Sequence, residues 1–223
     1  MLARVARIME HLGQIQWKYS DRPAASAVTL SLRHAASSYE GPIQIENMTN
    51  SRLQHVGLPA DFLTFSREKL LEQYWPRLRS CVESLTDEQV WWRPNDASNS
   101  IGNLILHLNG NVQQWIISSF NHLEDTRDRP AEFSERRMIP AAALLEKLGA
   151  TMQEASEVLA RLAEADLQTS FQIQGYMVTG LRAVYQVVEH FGIHYGQIVF
   201  ITKLVRAKDL GFYRELDKTG RLP

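Results

Sequence analysis

Two histidines lie four residues apart in the segment VEHFGIHYGQ, residues 188–197, within a longer run that has the pattern of a packed helix. On a helical wheel of about 100° per residue, His194 lies within about 20° of the centre of the apolar stripe and His190 within about 60°. Both imidazoles are therefore predicted to point into the core from one face. A buried polar ring costs free energy unless a partner satisfies it, and a single metal ion can satisfy two rings at this spacing.

A catalytic metal usually has three protein ligands, so the pair needs a third partner. Of the remaining histidines, only His107 lies in the middle of a predicted helix; the others are His11, His34, His55 and His122. His107 lies about 120° from the centre of its own apolar stripe, in a polar row with Asn103, Asn111 and Gln114. That row is either a solvated face or a set of groups that orients metal ligands. From the pattern alone, a three-histidine metal site and ordinary core histidines both stay open.

The spacing departs from two familiar metal motifs. The residues His-Phe-Gly-Ile-His lack the general-base glutamate of a zincin H-E-x-x-H motif, because Glu189 precedes the first histidine. The paired Glu-x-x-His motifs of ferritin-like bundles are absent as well. A zincin protease site and a di-iron carboxylate site are therefore both disfavoured.

Four long amphipathic helices are predicted to position these residues. Apolar residues recur at spacings of three and four through residues 61–85, 101–120, 140–163 and 180–206. The segment QTSFQIQGYMV, residues 168–178, alternates briefly and could be extended. This pattern predicts an all-α fold, a four-helix bundle with a short extended segment.

Local signals predict where these helices begin and bend. Asp61 and Ser100 can cap the helices that follow them, and Thr86 with Gln89 forms a capping box. Pro76 should kink or split the first helix near residue 75, because proline lacks an amide hydrogen and clashes with the preceding turn.

Composition narrows the function classes. The 223 residues carry a formal charge of −1 and are 44% hydrophobic, which is ordinary for a soluble globular protein and offers no basic field for nucleic acid. No apolar stretch approaches the ~20 residues that span a bilayer, and the single cysteine excludes a disulfide framework. Neither a Gly-rich phosphate loop nor βαβ alternation is visible. We expect a cytoplasmic protein with a small-molecule substrate and neither a nucleic-acid nor a membrane partner.

The first 47 residues differ from the rest, with weak periodicity and a Ser/Ala-rich middle. They are either a targeting peptide or a gene-model artefact upstream of a start at Met48, and the second interpretation is preferred. In both cases residues 1–47 are expected to be poorly ordered. The predicted bundle occupies residues 48–217, and residues 218–223 form a tail.

The segments SNSIGNLILHLNGNVQQWII (98–117) and VVEHFGIHYGQIVFITKLV (187–205) together resemble the DinB-like (YfiT-like) superfamily of metal-dependent enzymes. The segments LTDEQVWWRPN (85–95), IQGY (173–176) and DLGFYREL (209–216) are similar to one largely uncharacterised bacterial branch of it. The resemblance covers roughly residues 60–217. One histidine in the second helix together with His-x-x-x-His in the last is the hallmark of the family.

This resemblance implies an up-down-down-up four-helix bundle with a long crossover. It implies that His107, His190 and His194 hold one divalent metal ion such as zinc or nickel. Characterised relatives include S-transferases that use low-molecular-weight thiols and a mycothiol-dependent maleylpyruvate isomerase, and homodimers are common in the family.

Two functions are compatible with these observations. The first is a metal-dependent enzyme, either a thiol-dependent transferase or a hydrolase, because a metal held by neutral imidazoles would activate a bound thiol or water. Side chains that could contact its ligands or substrate are Asn103, Asn111, Gln197 and Tyr176, and an ordinary polar role for each stays open. The second is a non-catalytic metal-binding or stress-response bundle. A helical interaction module without metal would instead place His107 far from the other two histidines.

Overall fold

The structure, a computed structural model, describes residues 57–214. The predicted leader, residues 1–47, and the predicted tail, residues 218–223, lie outside this range. Within it, no helix combines the length and the hydropathy that crossing a bilayer requires.

The described residues form an all-α bundle with one small hairpin, as the sequence predicts. The first long helical stretch consists of α1 (Leu58–Arg67), a π-helical segment (Glu68–Tyr74) and α2 (Trp75–Glu83). The second consists of α4 (Ile101–Val112) and a π-helical segment (Gln113–Ser118). The third and fourth are α6 (Ala141–Arg161) and α8 (Gly180–Arg206).

Short elements connect the long ones. Three helices of five or six residues lie in the connections: α3 (Asp87–Trp91), α5 (Arg129–Ser134) and α7 (Glu164–Gln168). The strands β1 (Ser170–Ile173) and β2 (Tyr176–Thr179) pair antiparallel. Gln174 and Gly175 between them both have positive φ, 52° and 82°, as a two-residue hairpin loop requires. The extended segment predicted from the sequence is this hairpin.

The core lies between the four long stretches, and α4 is its most deeply buried element. Its apolar side chains pack against α6 and α8. Fully buried side chains from all four stretches meet there, among them Leu78, Ile105, Leu108, Leu148, Phe191 and Ile198. The helix that carries His107 is thus fixed on several sides, which limits how far that ring can move.

The helix starts are confirmed at two of the three predicted caps. The side chains of Thr86 and Ser100 accept the backbone amides of Gln89 and Asn103, and both capping boxes are complete. The prediction of Asp61 as a cap is wrong: α1 begins at Leu58, one turn earlier. Asp61 lies in the first turn instead, where a carboxylate still interacts favourably with the helix dipole.

Pro76 follows a π-helical segment and does not break the first long helical stretch. The amide of residue 75 donates to the carbonyl of Leu70, five residues earlier, and closes the π-helical segment just before the proline. The wider turn lets the chain continue into α2 although Pro76 supplies no amide hydrogen. The predicted discontinuity is therefore a change of helical pitch near residue 75.

Candidate metal centre

The structure brings together the three histidines that the sequence singles out. His107 projects from α4, while His190 and His194 lie one turn apart on α8. The Nε2 atom of His190 lies 3.0 Å from Nε2 of His107 and 3.0 Å from Nε2 of His194. His107 is buried and the other two are half-buried. This convergence is the opposite of what a metal-free interaction module predicts for His107.

The hydrogen bonds made by Nδ1 of His107 and Nδ1 of His194 determine which nitrogen of each ring carries the proton. Nδ1 of His107 lies 2.7 Å from Oε2 of Glu132 and 3.1 Å from Nη2 of Arg127. Because the shorter contact is to a carboxylate, which only accepts hydrogen bonds, we assign the proton to that Nδ1. Nδ1 of His194 likewise donates to Oε1 of Gln197 at 2.7 Å. A neutral imidazole protonated on Nδ1 has its lone pair on Nε2. Two lone pairs therefore point at the Nε2 atom of His190.

The hydrogen-bonding capacity of His190 fits a cation at this point. Its Nδ1 is buried and has no hydrogen-bond partner among the described residues. One proton on its Nε2 can satisfy only one of the two facing lone pairs well, whereas a metal ion accepts all three. Zinc–nitrogen bonds of about 2.0–2.1 Å separate tetrahedral ligands by about 3.3–3.4 Å. The two observed separations of 3.0 Å need to lengthen by a few tenths of an ångström, and the three ligand atoms all lie within 4.8 Å of one another.

Burial keeps the two α8 histidines neutral. It is the main reason that the pKa of His190 falls to about 3, helped by the two neighbouring imidazoles and by the charges of Arg127 and Arg129. Burial also lowers the pKa of His194, although the hydrogen bond to Gln197 opposes it. Because the neutral ring is the form that binds metal, both residues are poised as ligands at neutral pH.

A buried ion pair behind His107 completes the centre. Arg127 donates from Nε to Oε1 of Glu132 at 2.7 Å and from Nη2 to Oε2 at 2.9 Å. Burial raises the pKa of Glu132, but the hydrogen bonds from His107 and Arg127 and the charge of Arg127 outweigh it, and the net pKa is lowered. Neither residue is expected from the sequence, because residues 121–137 are a charged connection without helical periodicity.

The amide row beside His107 is buried, so its interpretation as a solvated face is wrong. Asn103 donates to the backbone carbonyls of Glu132 and Glu135 at 2.9 and 3.1 Å and thereby anchors α5 against α4. Asn111 is buried, and its Oδ1 has no partner among the described residues. Of the side chains that the sequence suggests as possible contacts, only that of Gln197 forms a hydrogen bond with one of the three histidines in the described part of the chain.

Two other polar residues lie away from the cluster. Tyr176 begins β2, where its side chain is 65% exposed, and it makes no hydrogen bond to the three histidines. His122 lies at the end of the second long stretch with a φ of 54° and is exposed. Within residues 57–214, no carboxylate or thiol joins His107, His190 and His194 as a fourth ligand.

Comparisons with known proteins show which family and which solved structures the chain resembles. The family model of the DinB superfamily matches residues 70–198, more than half of the chain, and this range contains all three histidines. A conserved protein of known structure from Enterococcus faecalis is 19% identical with a TM-score of 0.57, over 65% of this chain and 97% of that one. A DinB-like protein from Bacillus cereus ATCC 10987 is 15% identical with a TM-score of 0.49, over 59% of this chain and 85% of that one. No curated protein matches the sequence. The likeness to the first structure supports the helical fold.

Proposed function

Because this chain belongs to the DinB superfamily, we propose that it is a metal-dependent enzyme that holds one divalent ion between His107, His190 and His194. The observation that carries the proposal is the convergence of three Nε2 atoms, with His190 3.0 Å from each of the other two. Two of the rings have their Nδ1 protons engaged elsewhere, so their lone pairs are directed at one point.

The proposed reaction class follows from the ligand set. When bound, a zinc or nickel ion would lower the pKa of a coordinated water or low-molecular-weight thiol toward neutrality. Three neutral imidazoles leave the charge of the ion uncompensated, which favours an anionic nucleophile. His190 and His194 are half-buried rather than fully enclosed, which supports access of a small molecule to the proposed ion. We therefore propose a thiol-dependent S-transferase or a hydrolase.

The number of ligands favours an enzyme over a structural metal site. A structural zinc site is usually closed by four protein ligands, whereas a catalytic one keeps a position open. The described part of the chain offers three histidines and no fourth group at this point. This supports catalysis over a bundle in which the ion only stabilises the fold.

Elemental analysis of the purified protein after supplementation with zinc or nickel tests the metal site. We expect about one ion per chain in the wild type and little in His190→Ala, which loses the central ligand. The control is His122→Asn, since His122 lies outside the cluster and asparagine tolerates its positive φ. Absence of stoichiometric metal from the wild type, or full occupancy in His190→Ala, would contradict the proposal.

Turnover assays separate the two reaction classes. Metal-loaded protein is offered an electrophile with a low-molecular-weight thiol, and an ester without thiol, with His190→Ala as the control. A rate that depends on thiol concentration supports the transferase, and ester cleavage without thiol supports the hydrolase. Stoichiometric metal with four protein ligands, shown by X-ray absorption, would instead support the non-catalytic bundle.

A further inference from the structure

We propose that Glu132 and Arg127 are positioning residues that fix the tautomer of His107, and that Gly110 provides the space in which they do so. The inference rests on the proposed metal site. It concerns three residues outside the ligand set, two of which belong to the connection between the second and third long helical stretches.

Glu132 sets the proton position on His107. Its carboxylate lies 2.7 Å from Nδ1, and the two side chains are only 10% and 4% exposed. Water therefore cannot easily replace the carboxylate as the acceptor. With the proton held on Nδ1, Nε2 keeps the lone pair that a metal ion requires. Without the carboxylate, the proton could move to Nε2 and block that ligand position.

Arg127 holds the carboxylate in place. Its guanidinium meets both oxygens of Glu132, at 2.7 and 2.9 Å, in the forked geometry that arginine forms with carboxylates. Its Nη1 also donates to Oε1 of Gln114 at 2.9 Å. Gln114 lies two turns after His107, so the guanidinium is tied to the same helical stretch that carries the ligand.

Gly110 makes room for this pair. It lies three residues after His107, on the same face of α4. A Cβ atom at this position would overlap Oε1 of Glu132 and would lie 2.8 Å from Nε of Arg127. Any larger residue must therefore push the ion pair away from the helix. The glycine is explained by the close approach of the two charged side chains.

The first test compares Glu132→Gln with Gly110→Ala. Neither removes a ligand, yet we expect each to weaken zinc binding by about 10- to 100-fold, the usual effect of losing the partner of a metal-ligating histidine. In Glu132→Gln the new amide cannot satisfy both the imidazole and Arg127. The control is Gly196→Ala, two residues after His194, because a Cβ there meets no atom within 4 Å. Zinc affinity is measured by competition with a chelating dye.

The second test reads the tautomer directly, because a merely structural role would not change it. Nitrogen-15 NMR of the histidine rings in metal-free protein should show His107 protonated on Nδ1 in the wild type and in Gly196→Ala. Glu132→Gln should show a substantial share protonated on Nε2. If Glu132→Gln does not fold, the same measurements on Arg127→Met/Glu132→Gln, which leaves no unpaired buried charge, replace it.

The outcomes separate this inference from the proposed function. Wild-type affinity together with an unchanged His107 tautomer in Glu132→Gln would overturn the inference, as would equal losses of affinity in Gly110→Ala and Gly196→Ala. Failure of the wild type to bind zinc would overturn the proposed function instead. In that case the tautomer of the metal-free protein still tests whether Glu132 positions His107.

Discussion

His190 lies between two other imidazoles, and its own ring has the poorest hydrogen bonding of the three. Its Nδ1 is buried without a partner among the described residues, while its Nε2 faces the lone pairs of His107 and His194. Burial and these neighbours lower its pKa to about 3. The folded protein therefore keeps the His190 ring neutral at pH values far below the ordinary histidine pKa of about 6.5.

This lowered pKa predicts a pH-dependent stability of the metal-free protein. Between the unfolded pKa of about 6.5 and the folded pKa of about 3, the unfolded chain binds more protons at His190 than the native protein. The contribution of the neutral His190 ring to the free energy of unfolding is therefore complete above about pH 6.5 and is lost progressively as the pH falls toward 3. Burial lowers the pKa of His194 as well, so its effect has the same sign.

Urea unfolding at several values between pH 5 and 7.5 checks this expectation. The free energy of unfolding should fall on acidification. It should fall less steeply in His190→Gln, even if that variant is less stable than the wild type at neutral pH. His122→Asn serves as the control and should keep the wild-type slope, because it changes a histidine outside the cluster. Parallel curves for wild type and His190→Gln would show that His190 is not the titrating group.

The residues of the centre differ in how far the sequence reveals them. The pair on α8 is visible because four-residue spacing on an apolar helix face is a local pattern. Glu132 is 25 residues from His107 along the chain and Arg127 is 20 residues away. Their contacts depend on the path of a non-periodic connection, which no local pattern encodes. The carboxylate that contacts His107 is therefore revealed only by the three-dimensional structure.

At the scale of elements, the packing of the short helix α3 on α4 depends on one glycine. A Cβ atom on Gly102 would lie 2.8 Å from two carbon atoms of the Trp91 ring. The indole Nε1 donates to the carbonyl of Ile139 at 2.9 Å, which fixes the ring. Trp91 thus has little freedom to move away from a larger residue at position 102.

We therefore expect Gly102→Ala to lower the free energy of unfolding by about 1–3 kcal/mol, the usual cost of overpacking a core. Gly196→Ala is the matched control, since its Cβ meets open space. Alanine there should be neutral or should stabilise the helix by up to about 1 kcal/mol. Chemical denaturation measures both variants, and a Gly102→Ala protein as stable as the wild type would contradict the role of Trp91.

The sequence predicts the long helices well because amphipathic periodicity extends over many turns. The expected helix over 180–206 coincides with α8, and the one over 140–163 contains α6 (Ala141–Arg161). The π-helical segments Glu68–Tyr74 and Gln113–Ser118 are not predicted. The two segments span only seven and six residues, which is too few for apolar periodicity to distinguish a π turn from an α turn.

At the scale of the whole molecule, the proposed ion would join two long helices that are distant in the chain. His107 on α4 and His190 on α8 are 83 residues apart, and their nitrogens meet only in the folded protein. A ligand that binds the native state and not the unfolded chain stabilises the fold by an amount set by its concentration and affinity. Metal binding should therefore be visible in the stability of the entire bundle.

We expect zinc to raise the free energy of unfolding by about 2.7 kcal/mol when the free ion is at 100 times its dissociation constant. A chelator should reverse the change. The measurement is thermal or urea unfolding with and without the ion, on wild type, His194→Ala and His122→Asn. The wild type and His122→Asn should respond alike, because both retain the three ligands. His194→Ala should respond weakly, because two imidazoles hold the ion less tightly than three. An equal response in His194→Ala would show that the ion stabilises the protein from somewhere other than the junction of α4 and α8.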